Sequence, residues 1–391
     1  MMKKITLTLL LAYLQIAIVF AQTDDEKSAF QLSFFPPLST QGVRAPEYTN
    51  AVSFNILAGV SKNVTKFSFS GLGMYVKEDL SGFHLSGLGT IAGNNGSGIM
   101  ISGLLNKTSD FQGLQFSGLA NMSNQTDGIQ MGGLGSIAMG DMNGFQFSGL
   151  INKAKYANGI QIGGLMNLSD ELNGFQFSGL INRAKNVNGF QIAGLVNAAQ
   201  EVNGFQIGGL VNIAKSVNGF QFGTLLNIAD DNDYPFGLVN IIKNGGEMSL
   251  GVTYNEVGTT MLSFRSGGRI LYGIVGIGFC HELSDNKFMT EAGFGAHIPI
   301  SSRFRINNEL KGNMVTFTSK ETTSHYSFSI MPAFKILPKW EVFAGPSIVF
   351  LDTDNLDNKG MFPSNHIWKK FEDDKLQQLY IGFSVGTHFI F

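Results

Sequence analysis

GFQFSGLINKAKYAN (residues 144–158) runs without a break into GIQIGGLMNLSDELN (159–173) and GFQFSGLINRAKNVN (174–188), and the reading of this run decides the fold. The same sentence opens at Gly82, Gly98, Gly113, Gly128, Gly144, Gly159, Gly174, Gly189, Gly204 and Gly219, ten copies spaced 15 or 16 residues apart. A repeat of this length is one supersecondary unit that buries its surface only against its neighbours. Three columns recur. Six places after the glycine stands leucine in every copy, including Leu150, Leu165, Leu180, Leu195 and Leu210, and invariance of this kind reads as repeat core. Two places after it glutamine recurs (Gln146, Gln161, Gln176) and eight places after it asparagine (Asn152, Asn167, Asn182), which read as stacked amide ladders.

Two all-β architectures accommodate the period. In the first, about ten repeats are coils of a parallel β-solenoid, with the Phe or Ile positions, the leucine and the apolar residue thirteen places in (Leu172, Val187, Val202, Val217) turned inward. In the second, each copy is one strand and turn of a large antiparallel outer-membrane barrel of about 20 strands. Matching copies at the single period favour parallel stacking, since the unit of an antiparallel sheet is a hairpin. The apolar residue in what would be a barrel turn, and the near-absence of Trp and Tyr from the copies, point the same way. Against them stands strict alternation through GFQFSGLIN, which puts Gln, Ser, Leu and Asn on one face and Phe, Phe and Ile on the other. A weak 30-residue alternation of charge, basic at Lys153, Lys155, Arg183 and Lys185 and acidic at Asp170 and Glu171, also suits a barrel.

Beyond residue 246 the texture changes to longer strands, expected at 248–254, 259–265, 270–281, 288–298, 304–318, 326–336, 340–351 and 379–391. Eight strands make a small outer-membrane barrel. In the last of them Leu379, Ile381, Phe383, Val385, Thr387, Phe389 and Phe391 share one face, and Tyr380, Gly382, Ser384, Gly386 and His388 the other. An amphipathic final strand ending on an aromatic residue resembles the recognition signal of Gram-negative outer-membrane barrels. That resemblance makes Phe389 and Phe391 the insertion terminus and implies the barrel-assembly machinery and outer-membrane lipid as partners.

The chain of 391 residues opens with Met1-Met2-Lys3-Lys4, an apolar run and Val19-Phe20-Ala21, which together read as a secretory signal peptide over residues 1–21. The expected organisation is therefore the signal, lead-in strands over 22–81, the array over 82–245 and the barrel over 246–391. Charged residues are only 14% of the chain, and its 49 glycines are nearly twice the usual share of about 7%. The balance of 27 basic and 29 acidic residues leaves no electrostatic footprint for nucleic acid. Cys280 stands alone, so no intramolecular disulfide can form.

The chemistry of an enzyme is not legible. The six histidines fall in no metal-ligand spacing, there is no nucleophile elbow or phosphate loop, and no cofactor is expected. Glu291 and His297 read as ordinary inward polar residues of one barrel strand. The oxygen-rich stretch 352–360 resembles a calcium loop but has Pro363 where the bidentate Glu belongs.

The repeats, the lead-in FQLSFFPPLSTQG, the exit YPFGLVNIIKNGG and the segment FRSGGRILYGIVGIGF (264–279) resemble a family of Gram-negative outer-membrane or cell-surface proteins built on Gly-Phe-Gln-x-x-Gly-Leu-x-Asn repeats. The resemblance implies outer-membrane association and supplies no catalytic residues. The expectation is a non-enzymatic surface-repeat protein with a structural or adhesive role and a surface ligand of unidentified chemistry. The competing class is a porin-like channel in which the repeats are membrane strands.

Overall fold

The computed structural model describes residues 26–281, 288–316, 322–354, 363–372 and 375–391. The signal segment 1–21 lies outside them, as does most of the calcium-like stretch. The chain is all-β: a parallel β-solenoid of about 13 coils and a closed eight-stranded antiparallel barrel. It divides into two compact units, Met1–Lys185 and Asn186–Phe391.

In the first unit parallel pairing already begins at Glu26–Phe35, which lies against Tyr48–Asn55. From there each coil supplies one long and one short strand, as in Tyr156–Gly163 followed by Met166–Leu168. Equivalent residues stack on one another: Gly144 pairs with Gly159, Gln146 with Gln161 and Ser148 with Gly163. The second unit continues the same pattern through Asn186–Ala193, Glu201–Gly208 and Ser216–Gly223, closing with Leu226–Phe236 and Val239–Asn244.

The opening glycine is a steric requirement. Gly159 sits at φ +141°, and a Cβ there would overlap the carbonyl oxygen of Gly144 in the coil beneath. The residue kinks each long strand, so that Asn158 and Ile160 on either side of it both face outward.

The interior reverses the expected core. Leu150, Leu165, Leu180, Leu195 and Leu210 are 37–41% exposed, on the outside of the corner made with the preceding glycine. The Phe and Ile positions also face out, as Phe147, Phe175 and Phe205 show. What fills the coils is the glutamine and asparagine columns, a small residue such as Ala154 or Ala184, and, as the sequence suggests, the apolar residue at Leu172, Val187, Val202 and Val217. The interior of each coil is thus shared between amides, a small residue and one apolar side chain, and the leucine is left outside. The leucine is invariant because it occupies a corner at which the chain must turn.

The eight barrel strands are Glu247–Asn255, Thr259–Gly267, Leu271–Cys280, Phe288–Pro299, Phe304–Thr316, Thr322–Leu337, Trp340–Thr353 and Lys375–Ile390. Each pairs antiparallel with its neighbours, and the first closes on the last, Gly251 opposite His388. Trp368–Glu372 adds a short strand along one end of the last. Alternation follows the sequence: Ile381, Phe383, Val385, Phe389 and Phe391 face outward, while Tyr380, Ser384 and His388 are buried inside.

Candidate functional site

Two regions concentrate the polar chemistry: the column of amides inside the array and the lumen of the barrel. In the array, Gln146 Nε2 donates to Gln130 Oε1 at 2.8 Å, Gln161 to Gln146 at 2.7 Å and Gln176 to Gln161 at 2.7 Å. The asparagines run the other way, Asn152 Nδ2 donating to Asn167 Oδ1 at 2.9 Å and Asn167 to Asn182 at 2.9 Å. Each amide therefore meets a copy of itself, donor to acceptor, and some add a second bond, as Asn167 Nδ2 does to the Phe177 carbonyl at 2.7 Å and Gln176 Nε2 to Ser169 Oγ at 3.0 Å. A second column, Asn158 on Asn143 at 3.0 Å and Asn173 on Asn158 at 2.9 Å, repeats the arrangement on the exposed side of the long strand. At the N-terminal end His84 takes the glutamine place. It is fully buried, its Nδ1 lies 2.8 Å from Ser68 Oγ, and burial pushes the imidazole down to about 4.

The barrel lumen is filled. Glu309 accepts from Arg265 Nε at 2.8 Å and from the Tyr272 hydroxyl at 3.0 Å. Lys311 Nζ lies 3.3 Å from both Glu309 and Glu291, and Ser263 Oγ donates to Glu291 at 2.6 Å. Toward the C-terminal end of the last strand a second network joins Arg305 to Glu247 at 2.6 Å and to Glu341 at 2.8 Å. There Glu341 also meets His388 at 3.0 Å, while His297 Nδ1 lies 2.8 Å from Asn307 Oδ1. Glu291 and His297 thus belong to different networks and form no acid/base pair. Between the walls remains a cavity of about 20 Å³, lined by Glu291, Lys311, Asn313 and His325 among others, with room for about one water. Cys280 is buried, its thiol donating to the Val257 carbonyl at 3.3 Å.

Sequence reasoning located the amide columns and the outward face of Phe389 and Phe391. It missed the ion networks, because their members lie on strands far apart in the chain and are brought together only by barrel closure. The inward alternation of Arg265, Glu309 and Lys311 was the available signal. Among the described residues no cluster of three or more metal-ligating side chains occurs.

No protein-family model matches the chain, and no curated protein is similar to it. Among solved structures, one reported as "De novo design of transmembrane beta-barrels" is similar at 13% identity and a TM-score of 0.21, covering 37% of this chain and 94% of that one.

Proposed function

We propose that this chain is a non-enzymatic outer-membrane protein whose barrel is a closed anchor and whose repeat array is a structural or interaction module held on the periplasmic side. The observation that carries the reading is the lumen. An eight-stranded barrel is just wide enough for side chains to fill, and here they pair with one another across it rather than lining a path. Its outer wall is a band of Leu250, Val252, Leu262, Ile277, Phe328, Ile348 and Ile381 with Trp340 toward one end, as a lipid-facing surface requires. This agrees with the resemblance to outer-membrane repeat proteins, and with insertion by the barrel-assembly machinery through Phe389 and Phe391.

Loop lengths support the sidedness. The strands that end near the C-terminus are joined by residues 268–270, 300–303 and 338–339, and the chain enters the barrel at Glu247 at that same end. The opposite end carries the short turn 256–258 and three longer connections, 281–287, 317–321 and 354–367. Outer-membrane barrels keep short turns in the periplasm and long loops outside. The coils leading into Glu247 are then periplasmic, and a role on the cell surface falls to the long loops.

Planar-bilayer recording of the purified full chain tests the closed anchor: the expected trace is silent, and stable ohmic steps would restore the channel reading. For sidedness, Lys215→Cys in a Cys280→Ser background should react with an impermeant maleimide only after the outer membrane is permeabilised. Labelling of intact cells would place the array outside.

A further inference from the structure

We infer that the array rests on a lipid leaflet through the edge formed by its leucine corners. In all ten copies every charged residue falls after the asparagine place (Thr90 and Ser136 in two of them), among the six or seven positions that include Lys155, Asp170, Lys185, Glu201 and Lys215. The stretch from glycine to asparagine carries none. Folded into coils, that segregation becomes spatial. In the second unit Leu195, Leu210 and Leu225 form an exposed corner at 38–48% exposure. Ile192, Ile207 and Phe222 run along the long-strand side of it and Val196, Val211 and Leu226 along the short-strand side. Lys215 and Asp230 stand at the opposite edge. Parallel sheets normally have both faces covered, and among the described residues nothing covers this one.

Two observations select lipid as the occupant. The leucine column of the corner is paired along the stack: Leu210 N donates to the Leu195 carbonyl at 3.1 Å, Val211 N to the same carbonyl at 2.9 Å, and Leu225 N to the Leu210 carbonyl at 3.1 Å. N–H groups already paired in this way lose no bond on entering an apolar phase. The apolar exterior is also continuous with the outer wall of the barrel. Phe190, Phe205, Phe220 and Phe236 follow one another with ring centroids 5.0–6.5 Å apart, and Phe236 stacks at 4.3 Å on Phe294. Phe294 belongs to the membrane-facing side of its strand, with Ala292 and Ile298. Beside it Asn240 Nδ2 donates to the Ser266 carbonyl at 3.0 Å, fixing the last coil to the barrel wall. In the second unit the short-strand place held by Lys153 and Arg183 in earlier coils is Ala198 or Ile213, so these coils and the barrel present an apolar surface with Lys215 and Asp230 away from the leucine corner, which is the polarity of an interfacial element.

The inference rests on the barrel being in a bilayer, so the experiment reads both. In a Cys280→Ser background, single cysteines at Leu210, Lys215 and Ile381 are labelled with an environment-sensitive fluorophore, and the full chain is reconstituted into phosphatidylcholine vesicles carrying nitroxide on the acyl chains. The expected result is strong quenching at Ile381, quenching at Leu210 several-fold greater than at Lys215, and a blue-shifted emission at Leu210. Quenching at Ile381 with equal, weak quenching at Leu210 and Lys215 overturns the leaflet contact alone. A Leu210 label that is blue-shifted yet unquenched assigns the edge to a protein partner and also overturns it. Absence of quenching at Ile381 overturns the membrane reading itself.

Discussion

The array and the barrel share a polarity, polar within and apolar without, but satisfy their interiors by opposite means. The array uses neutral amides stacked on copies of themselves, whereas the barrel uses Arg265, Lys311, Glu291 and Glu309 paired across strands. Register explains the difference. Parallel in-register stacking sets every residue on its own counterpart 15 or 16 places away, so a charged interior column would be a column of like charges. Of polar groups only a self-complementary one can repeat there, and a carboxamide, with one donor end and one acceptor end, is such a group. Antiparallel neighbours bring different residues together, so opposite charges can be matched. The same rule governs the outside of the array. The 30-residue alternation of sign places Asp170 beneath Lys185, 3.0 Å from its Nζ, and so reflects neighbouring coils rather than hairpins.

The largest effect that separates the two regions is expected in the lumen. Glu309→Gln removes the carboxylate shared by Arg265, Tyr272 and Lys311 and leaves two buried cations facing Glu291 alone. Breaking a buried network in this way costs on the order of 3–5 kcal/mol. It should show as a large fall in the temperature at which the barrel loses its compact, heat-modifiable form on a gel. An unchanged transition would mean that the lumen is hydrated and its charges independent.

Next comes the amide column. Gln161→Leu keeps the volume but deprives Gln146 Oε1 of its donor and Gln176 Nε2 of one acceptor. The expected loss is about 1–3 kcal/mol for each amide left unpaired, read as faster amide hydrogen exchange in residues 141–178 with the barrel unaffected. Exchange that stays slow throughout would show that apolar packing can replace the ladder, and that the amides serve register alone.

His84 offers the one titratable break in that column. Its pKa is depressed to about 4 against 6.5 for a free imidazole, so the unfolded chain takes up the proton first. The stability conferred by keeping it neutral is therefore complete above about pH 6.5 and falls as pH drops toward 4, by about 2 kcal/mol at pH 5. Hydrogen exchange over residues 64–102 should accelerate across that window, and His84→Gln, which restores the repeat residue, should abolish the acceleration. If His84→Gln exchanges with the same pH profile, the acid sensitivity arises from surface carboxylates instead.

What the sequence revealed follows from the same distinction. The period, the glutamine and asparagine columns and the eight barrel strands were legible because each is a local pattern repeated or alternated along the chain. The direction in which Leu150 and Phe147 point was not, since it depends on two local departures from alternation, the positive-φ glycine and the turn before the leucine. An invariant leucine reads as core by habit of globular proteins, yet here the buried apolar place belongs to another column, at Leu172, Val187, Val202 and Val217, and the leucine stands outside the corner. The pairings Arg265 with Glu309 and Arg305 with Glu341 were invisible for another reason, the separation in sequence of 44 and 36 residues.

The smallest expected effect is the sharpest control on this account. Asn158 forms a ladder like that of Asn167, accepting from Asn173 at 2.9 Å and donating to Asn143 at 3.0 Å with the same spacing of 15 residues, but on the exposed side of the long strand and without the bonds that Asn167 Nδ2 adds to the Phe177 and Gln161 carbonyls at 2.7 and 3.2 Å. Water can replace every bond that Asn158→Ala removes, so its effect should stay within about 0.5 kcal/mol, as for other surface changes. Asn167→Ala deletes the buried ladder bonds together with those to the Phe177 and Gln161 carbonyls, in an interior where their partners are shut off from solvent, and should cost on the order of 1–3 kcal/mol. Hydrogen exchange of the flanking coils in the two variants measures the gap directly. Were the two equal, ladder formation itself would stabilise the array irrespective of solvent; a large gap locates the stabilisation in the dry interior, where a polar column has to be neutral and self-complementary.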